Sequence, residues 1–324
     1  MLVTKSQAQE FLDAVDGANR IAICSHLNPD GDAIGSTIGL TLALQKYGKK
    51  VEMYNQHEIP YNLKFLPGID QISQIPPIGE IDLAIVLDLN NFDRLGIHRE
   101  AFESAKKIIV IDHHVKQESP GDLKIVHTES PATALLIAEL LIQLDWEFDA
   151  AIAENLLAGI VTDTGSFRYR NTTPEALNIA AKLLDAGADI VKICTEVYTN
   201  KPIASVKLLQ KCLSKMQLIS NDRIAISVLS NEDFAEAGAT EVHTEGLTNE
   251  LLAIETVQIA AVIRQPLERS TRVSIRSREA YDVAAVAAIF GGGGHRNAAG
   301  CTLEGDAEKA VHVLVPHLIS CLEL

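Results

Sequence analysis

The chain has 324 residues, and its 28 Lys plus Arg against 43 Asp plus Glu give a formal charge of −15 with His neutral. That balance excludes a protein that holds long duplex nucleic acid by bulk positive charge, because polyanion binding depends on cations that neutralise phosphates. The length predicts two domains, and a content of 47% hydrophobic and 22% charged residues excludes long disorder.

The first segment, MLVTKSQAQEFLDAVDGANR, alternates apolar and charged residues at helical spacing and lacks the long apolar core of a signal peptide or anchor. Short apolar runs then alternate with helical stretches. Strands are predicted at IAICSH from Ile21, KVEMYN from Lys50, IDLAIVLD from Ile81, KKIIVID from Lys106 and LKIVHT from Leu123. Between the first two lies GDAIGSTIGLTLALQKYGKK, an amphipathic helix that stops at Gly48. Apolar strands separated by helices predict an open, mostly parallel sheet with helices on both faces, which binds ligands beyond the carboxyl ends of its strands. From Pro131 to about Ala186 the pattern is helical, and a connecting segment is expected at about residues 187–203. That places one domain over residues 1–186 and a smaller α/β domain over residues 204–324, with a cleft between the two lobes as the default geometry. In the second domain, strands are predicted from Arg223, Val257 and Thr271 and helices near Asn249, Asp282 and Ala307. Cys24, Cys194, Cys212, Cys301 and Cys321 form no CxxC pair, which fits a reducing interior. Apolar runs such as ALLIAELLIQL from Ala134 fall well short of the roughly 20 residues of a membrane span. The expectation is a cytoplasmic protein without a membrane partner.

Acidic and imidazole residues recur just after the predicted strands. SHLNPDGDAIGS supplies His26, Asp30 and Asp32; the third strand ends at Asp88; the fourth ends at Asp112, His113 and His114; GIVTDTGSF puts Asp163 in a turn after an apolar helix. Each has an ordinary structural use, Asp30 or Asp32 as a helix N-cap and Asp88 or Asp163 as a turn residue. Together they mean more, since neighbouring strand ends of one parallel sheet would crowd these carboxylates and imidazoles onto one edge. Like charges so close would repel and shift their pKa values, and divalent cations are the obvious compensation. Asp oxygens with a few His nitrogens and no thiolate suit Mn(II) first, with Co(II), Fe(II), Zn(II) and Mg(II) also compatible. A pair of such ions sharing a carboxylate drives phosphoryl hydrolysis, so the residues point to a dinuclear phosphoesterase.

DGD after HLNP, the strand-end Asp88, the triplet IDHH and the later TDTGSF resemble, in order and spacing, the motifs of the DHH phosphoesterase family. GGGGHRNAAG resembles the glycine motif of the DHH-associated C-terminal domain. The compact layout is similar to stand-alone members that degrade very short oligoribonucleotides and dephosphorylate 3′-phosphoadenosine 5′-phosphate. The resemblance implies two divalent metal ions, Mn(II) first among them. One would be held by His26, Asp30 and Asp88, the other by Asp32, Asp88, His113 and Asp163, with Asp88 as the bridge. It implies that His114 contacts the phosphoryl oxygen or assists the leaving oxygen, while Asp112 orients an imidazole.

The second domain is expected to grip the substrate. Arg264, Arg269, Arg272, Arg276 and Arg278 crowd one stretch with a single acid, Glu268. If TRVSIRS is a strand, Val273 and Ile275 face inward while Arg272, Ser274, Arg276 and Arg278 share the other face. The family resemblance selects Arg276 and Ser277. Gly291 to Gly294 would let backbone amides approach an anion, and His295 would add a side-chain donor, so Gly292, Gly293, Gly294 and His295 are candidate phosphate contacts. Arg94 is a further phosphate candidate, with a surface ion pair as its alternative. Phe167, Arg168 and Tyr169 could stack on or clamp a base.

The expected substrates are short RNA and nucleotides, hydrolysed to 5′-mononucleotides, with 3′-phosphoadenosine 5′-phosphate giving AMP. Rival readings are hydrolysis of cyclic dinucleotides or their linear products, an inorganic pyrophosphatase, and a non-catalytic nucleotide sensor. A homodimer is the candidate assembly.

Overall fold

The computed structural model describes residues 1–114, 119–267, 270–278 and 280–323, and it divides into two compact units, Met1–Asn200 and Lys201–Leu324. In the first unit the strands are β1 (Ile21–Cys24), β2 (Val51–Tyr54), β3 (Ile72–Ser73), β4 (Leu83–Leu87), β5 (Lys107–Asp112) and β6 (Leu123–Val126). They form one sheet in the order β3-β2-β1-β4-β5-β6, parallel at every pairing. The helices are α1 (Lys5–Asp16), α2 (Gly31–Lys46), α3 (Arg99–Glu103), α4 (Thr133–Gln143), α5 (Ala150–Asp163), α6 (Pro174–Asp185) and α7 (Ile190–Cys194). Period-two alternation sends Ile21, Ile23, Leu83, Ile85, Ile109 and Ile111 into the core shared with α1, α2, α4 and α5. Their neighbours Ala22, Cys24, Ala84, Val86 and Val110 pack on the opposite face against Phe92, Leu95 and Phe102. Each such side chain, fully buried, contributes about 1.5–3 kcal/mol when it is Val-, Leu- or Ile-sized. The parallel sheet covered on both faces is the one predicted.

One packing detail positions the site. α2 and α5 touch main chain to main chain: a Cβ on Gly35 would lie 2.4 Å from the Asn155 carbonyl oxygen and 3.3 Å from the Gly159 Cα. A Cβ on Gly159 would in turn lie 2.6 Å from the Ala134 Cβ and 2.9 Å from Asp32 Oδ1. Only glycine permits that approach, which draws α2, α4 and α5 together at the carboxyl edge of the sheet.

The second unit contains α8 (Ile203–Ser214), β7 (Gln217–Ile219), β8 (Ile224–Leu229), α9 (Asn231–Ala237), α10 (Leu247–Leu252), β9 (Ile259–Leu267), β10 (Ser270–Ser277), α11 (Val283–Ile289), β11 (Gly293–His295), β12 (Ala298–Glu304) and α12 (Ala307–Glu323). Its sheet runs β11-β12-β10-β9-β8-β7, with β8 and β9 parallel and the remaining pairs antiparallel. Ile259, Ala261, Ile263, Val273, Ile275, Ala299, Cys301 and Leu303 face α11 and α12. On the other face, Ala225, Ala260 and Val262 pack with α8, α9 and α10. The segment expected to connect the domains, residues 187–203, carries α7 and a π-helical turn at Thr195–Thr199, and the contact boundary falls at Asn200. Among the described residues no helix is long and apolar enough to cross a membrane.

Candidate metal centre

The three central strands of the first sheet, β1, β4 and β5, end side by side, and their ends carry the chemistry. His26 follows β1, Asp88 follows β4, Asp112 closes β5, and His113 and His114 come next. Asp88 turns off its strand with φ +56°, in the left-handed region, and its amide donates to the Ile111 carbonyl at 3.0 Å. Asp30 is the N-cap of α2, its carboxylate accepting from the Ala33 amide at 3.0 Å. The structural reading of Asp30 as a cap is therefore correct, and the same carboxylate also faces the site. Asp163 is the last residue of α5 rather than a member of the turn beyond it. Among the described residues, His26, Asp30 and Asp88 gather their ligand atoms within 4.8 Å of one another, and so do Asp32, His113 and Asp163, and Asp88, Asp112 and His114.

Hydrogen bonds at the rear of each imidazole decide what its front presents. His26 Nδ1 lies 2.8 Å from the Leu27 carbonyl and His113 Nδ1 lies 3.2 Å from the Ser130 carbonyl. Carbonyls only accept, so both Nδ1 atoms carry a proton and both Nε2 atoms point into the cluster. His26 Nε2 is 3.4 Å from Asp88 Oδ2 and 3.7 Å from Asp30 Oδ2. His113 Nε2 is 3.2 Å from Asp163 Oδ2, 3.4 Å from Asp88 Oδ1 and 3.8 Å from Asp32 Oδ2. Asp88 thus offers one oxygen to each group. His114 differs, because its Nδ1 is bound at 2.7 Å to Asp112 Oδ1.

The electrostatics record the crowding. Burial and the charge of Asp88 push the Asp32 carboxyl up to about 8, and burial with the charge of Asp32 holds Asp163 well above the usual carboxylate range. For His26, burial and the Arg94 charge act downward, but the hydrogen bonds to Asp30 and Asp88 outweigh them and raise it to about 9. Against burial, hydrogen bonds to His113 and His26 keep Asp88 well below the usual range. Crowding thus favours protonation of His26 and His113 beside Asp88 and works against charge on Asp32 and Asp163. The donor set, buried carboxylate oxygens and imidazole Nε2 atoms converging with their rear atoms already satisfied, fits divalent cations.

Arg94 lies close enough to His26 for its charge to act there, and among the described residues its guanidinium makes no ion pair. Past Asp163, Gly165, Ser166 and Phe167 make a left-handed turn with φ of 56°, 60° and 60°. It is held by the Ser166 amide on the Val161 carbonyl at 2.7 Å and the Phe167 amide on Thr164 Oγ1 at 3.1 Å. Phe167 packs against the core, whereas Tyr169 is exposed.

In the second unit, strand pairing sets Arg276 opposite Ala298, and Ala298 opposite His295. Directly opposed residues share a face, so Arg272, Ser274, Arg276 and His295 stand together on the side away from α11 and α12. Within that row, Arg264 donates to Glu241 at 2.6 Å and to Ser274 at 2.7 Å, and Arg272 lies 3.6 Å from Glu241. Arg276 has no acidic partner among the described residues. One expectation changes here and two gain local detail. Arg278 is not in the row, since its guanidinium donates to the carbonyls of Leu252, Ile254 and Val257 and closes the C-terminal end of α10. Ser277 Oγ already donates to the Tyr281 carbonyl at 2.7 Å and accepts from Asn297 at 2.9 Å, so it braces the Arg276 strand end. The glycine run enters a hairpin, β11 to β12: Gly294 has φ +141°, a Cβ on Gly292 would lie 2.2 Å from the Gly300 carbonyl oxygen, and Gly293 faces open space. Arg269 and Glu268 lie outside the described residues.

Residues 20–160 match the DHH family, N-terminal domain, and residues 221–321 match the DHHA1 domain. Over 307 residues the chain is 35% identical to the bifunctional oligoribonuclease and PAP phosphatase NrnA of Thermus thermophilus, covering 93% of this chain and 89% of that protein. The chain belongs to the DHH family. A relative of the same printed name from Bacillus subtilis is 29% identical, over 91% of this chain and 92% of that one. Among solved structures, an exopolyphosphatase-related protein from Bacteroides fragilis superposes with a TM-score of 0.89 at 28% identity, over 98% of this chain and 96% of that one.

Several residues outside the DHH motifs also shape this centre. Asn55 donates to the His26 carbonyl at 2.9 Å and to Ser25 Oγ at 3.2 Å, pinning the end of β1. Asn171 donates to the Asp163 carbonyl at 2.9 Å. Thr133 reaches both Asp32 and Asp88. Asn55 closes a predicted strand and Asn171 lies in a polar stretch, with nothing to set either apart, and Thr133 reads as the opening of an apolar helix.

Proposed function

We propose that this DHH-family chain is a phosphoesterase that hydrolyses short oligoribonucleotides to 5′-mononucleotides and 3′-phosphoadenosine 5′-phosphate to AMP, working in the cytoplasm with two Mn(II) ions. The observation that carries the reading is Asp88, which directs Oδ2 at His26 and Oδ1 at His113. The names of the Thermus thermophilus and Bacillus subtilis relatives support the substrate class.

His26, Asp30 and Asp88 would hold one cation and Asp32, Asp88, His113 and Asp163 the other. Two divalent cations held there would supply an activated water and offset the charge of the phosphoryl group. The chain's own residues do the rest. Asp112 accepts from His114 Nδ1, which fixes the ring and leaves Nε2 to hold a proton toward a phosphoryl or leaving oxygen. Arg94 adds a positive charge near His26. The first domain would carry out the cleavage, and the DHHA1 domain would grip a terminal phosphate. On it Arg276 and His295 point from one sheet face, and Glu241 neutralises Arg264 and Arg272. Ser277 and Gly292 to Gly294 would shape that grip through the backbone.

The test offers the purified protein with Mn(II) a labelled RNA dinucleotide, a long RNA oligomer, 3′-phosphoadenosine 5′-phosphate, cyclic di-AMP and pyrophosphate. Turnover of the dinucleotide and of 3′-phosphoadenosine 5′-phosphate is expected. Preference for pyrophosphate or for the cyclic dinucleotide would replace the proposed substrate class, and no turnover of any compound would leave a nucleotide sensor.

A further inference from the structure

α4 begins without a side-chain cap of its own. Its N-cap residue, Ala132, has no side chain that could accept, so the first amides of the helix need an acceptor from elsewhere. They find it in Asp32, which lies far away in sequence on α2. The Thr133 amide donates to Asp32 Oδ2 at 2.6 Å and the Ala134 amide to Asp32 Oδ1 at 2.9 Å. Ser36 Oγ adds a second bond to Oδ1 at 3.2 Å. Two donors occupy the lone pairs of Oδ1, so Asp32 faces the His113 cluster with the remaining lone pair of Oδ2 alone.

The same residue holds a second carboxylate. Thr133 Oγ1 donates to Asp88 Oδ1 at 3.0 Å, and both side chains are buried. That bond adds a partner behind Asp88 to the imidazoles in front of it. With it, Oδ1 stays toward His113 and Oδ2 toward His26. Through one amide and one hydroxyl, Thr133 thus couples the orientation of Asp32 on α2 to that of Asp88 beyond β4. Metal ligands held this way from behind lose less freedom when a cation arrives, and removing such a partner typically costs about 10- to 100-fold in metal affinity.

We propose that Thr133 is a positioning residue of the centre: its hydroxyl fixes Asp88 in the orientation that serves both ligand groups, and its amide fixes Asp32 as a one-oxygen ligand. The inference rests on the proposed pair of cations. It predicts an asymmetric loss, because the Asp88 oxygen bound by Thr133 is the one on the His113, Asp32 and Asp163 side.

Calorimetric titration of the metal-free full-length chain with Mn(II), read together with electron paramagnetic resonance of the bound ion, tests it without any assay of activity. The unsubstituted chain is expected to bind two ions. Thr133→Val keeps the shape and the amide but removes the hydroxyl. It is expected to keep one ion at unchanged affinity and to bind the other about 10- to 100-fold more weakly, with the spin-coupled signal of the pair replaced by that of isolated Mn(II). Thr133→Ser, which retains the hydroxyl, should restore both. If Thr133→Val does not fold, as judged by its melt in chelator, Thr133→Ala makes the same comparison. Two ions bound with unchanged affinities in the variant that lacks the hydroxyl would overturn the role of Thr133 and leave the metal centre standing. An unsubstituted chain that binds no Mn(II) would overturn both.

Discussion

The two sheets of this protein handle charge in opposite ways. In the first unit the strands β1 and β4 are apolar along their length and the charge is concentrated at the carboxyl edge of the sheet, where Asp32, Asp88, Asp112, His113 and His114 are all buried. In the second unit the charge stands on a sheet face, with Arg272 and Arg276 alternating with the buried Val273 and Ile275 along one strand. Buried carboxylates crowded together need cations and hold them in fixed geometry, which suits bond breaking. Arg276, which has no acidic partner among the described residues, keeps its donors available to an incoming anion, which suits binding. The contrast predicts that substitutions in the first unit strike kcat and those in the second strike KM.

The largest effect is expected from Asp88→Asn, which should lower kcat by more than about 10³-fold, the scale on which a charge-stabilising element of a reacting site is lost. Steady-state kinetics would show this, and a rate near that of the unsubstituted chain would remove Asp88 from the centre. Next, His114→Gln should reduce kcat by about 10²-fold with little change in Mn(II) affinity, if its work is proton handling. A parallel fall in metal binding would make His114 a ligand instead. Arg276→Ala should raise KM by about 10-fold or more at nearly constant kcat, as loss of one charge-assisted contact implies. A change confined to kcat would erase the distinction between the two sheets.

The smallest effect is one of stability against pH. Asp32 is raised to about 8 from an ordinary value near 4, and His26 to about 9 from about 6.5. Both bind protons more tightly in the folded chain, so their contribution is complete at acid pH and is lost as pH climbs through about 8 and about 9. In chelator, the melting temperature should fall between about pH 5 and pH 9. With Mn(II) in excess the trend should oppose this, because ligands must shed protons to bind. Paired thermal melts would reveal a gap that widens with pH, and a constant gap would argue that these groups bind no metal.

Much of the first unit was legible because its signals are local. The apolar runs that became β1, β4 and β5 are short and end in Asp or His, and the topology of a parallel sheet then aligns those ends without further information. What escaped depends on partners distant in sequence. Nothing near Thr133 announces that its hydroxyl meets Asp88, because its partners lie 45 and 101 residues away in sequence. The glycine run from Gly291 suggested an anion loop, and the pairing of its Gly293 and Gly294 with β12 as one arm of a hairpin was not visible in the sequence. Alternation along β10 placed Arg272 and Arg276 correctly. It extended one residue too far to Arg278, where the strand has already ended and the guanidinium has turned to the carbonyls at the end of α10.

The glycine contact between α2 and α5 also bears on which ion the proposed centre would accept. Asp32 rides on α2 and Asp163 on α5, and at Gly35 and Gly159 the helices meet with no side chain between them. The distance across that pair of carboxylates is thus a property of two main chains in contact, a fixed gauge rather than an adjustable jaw. Mg(II)-sized and Ca(II)-sized ions differ by about 0.3–0.5 Å in their oxygen distances. To retune the centre for a larger ion, Gly35 or Gly159 is the place to begin, with every ligand left as it is.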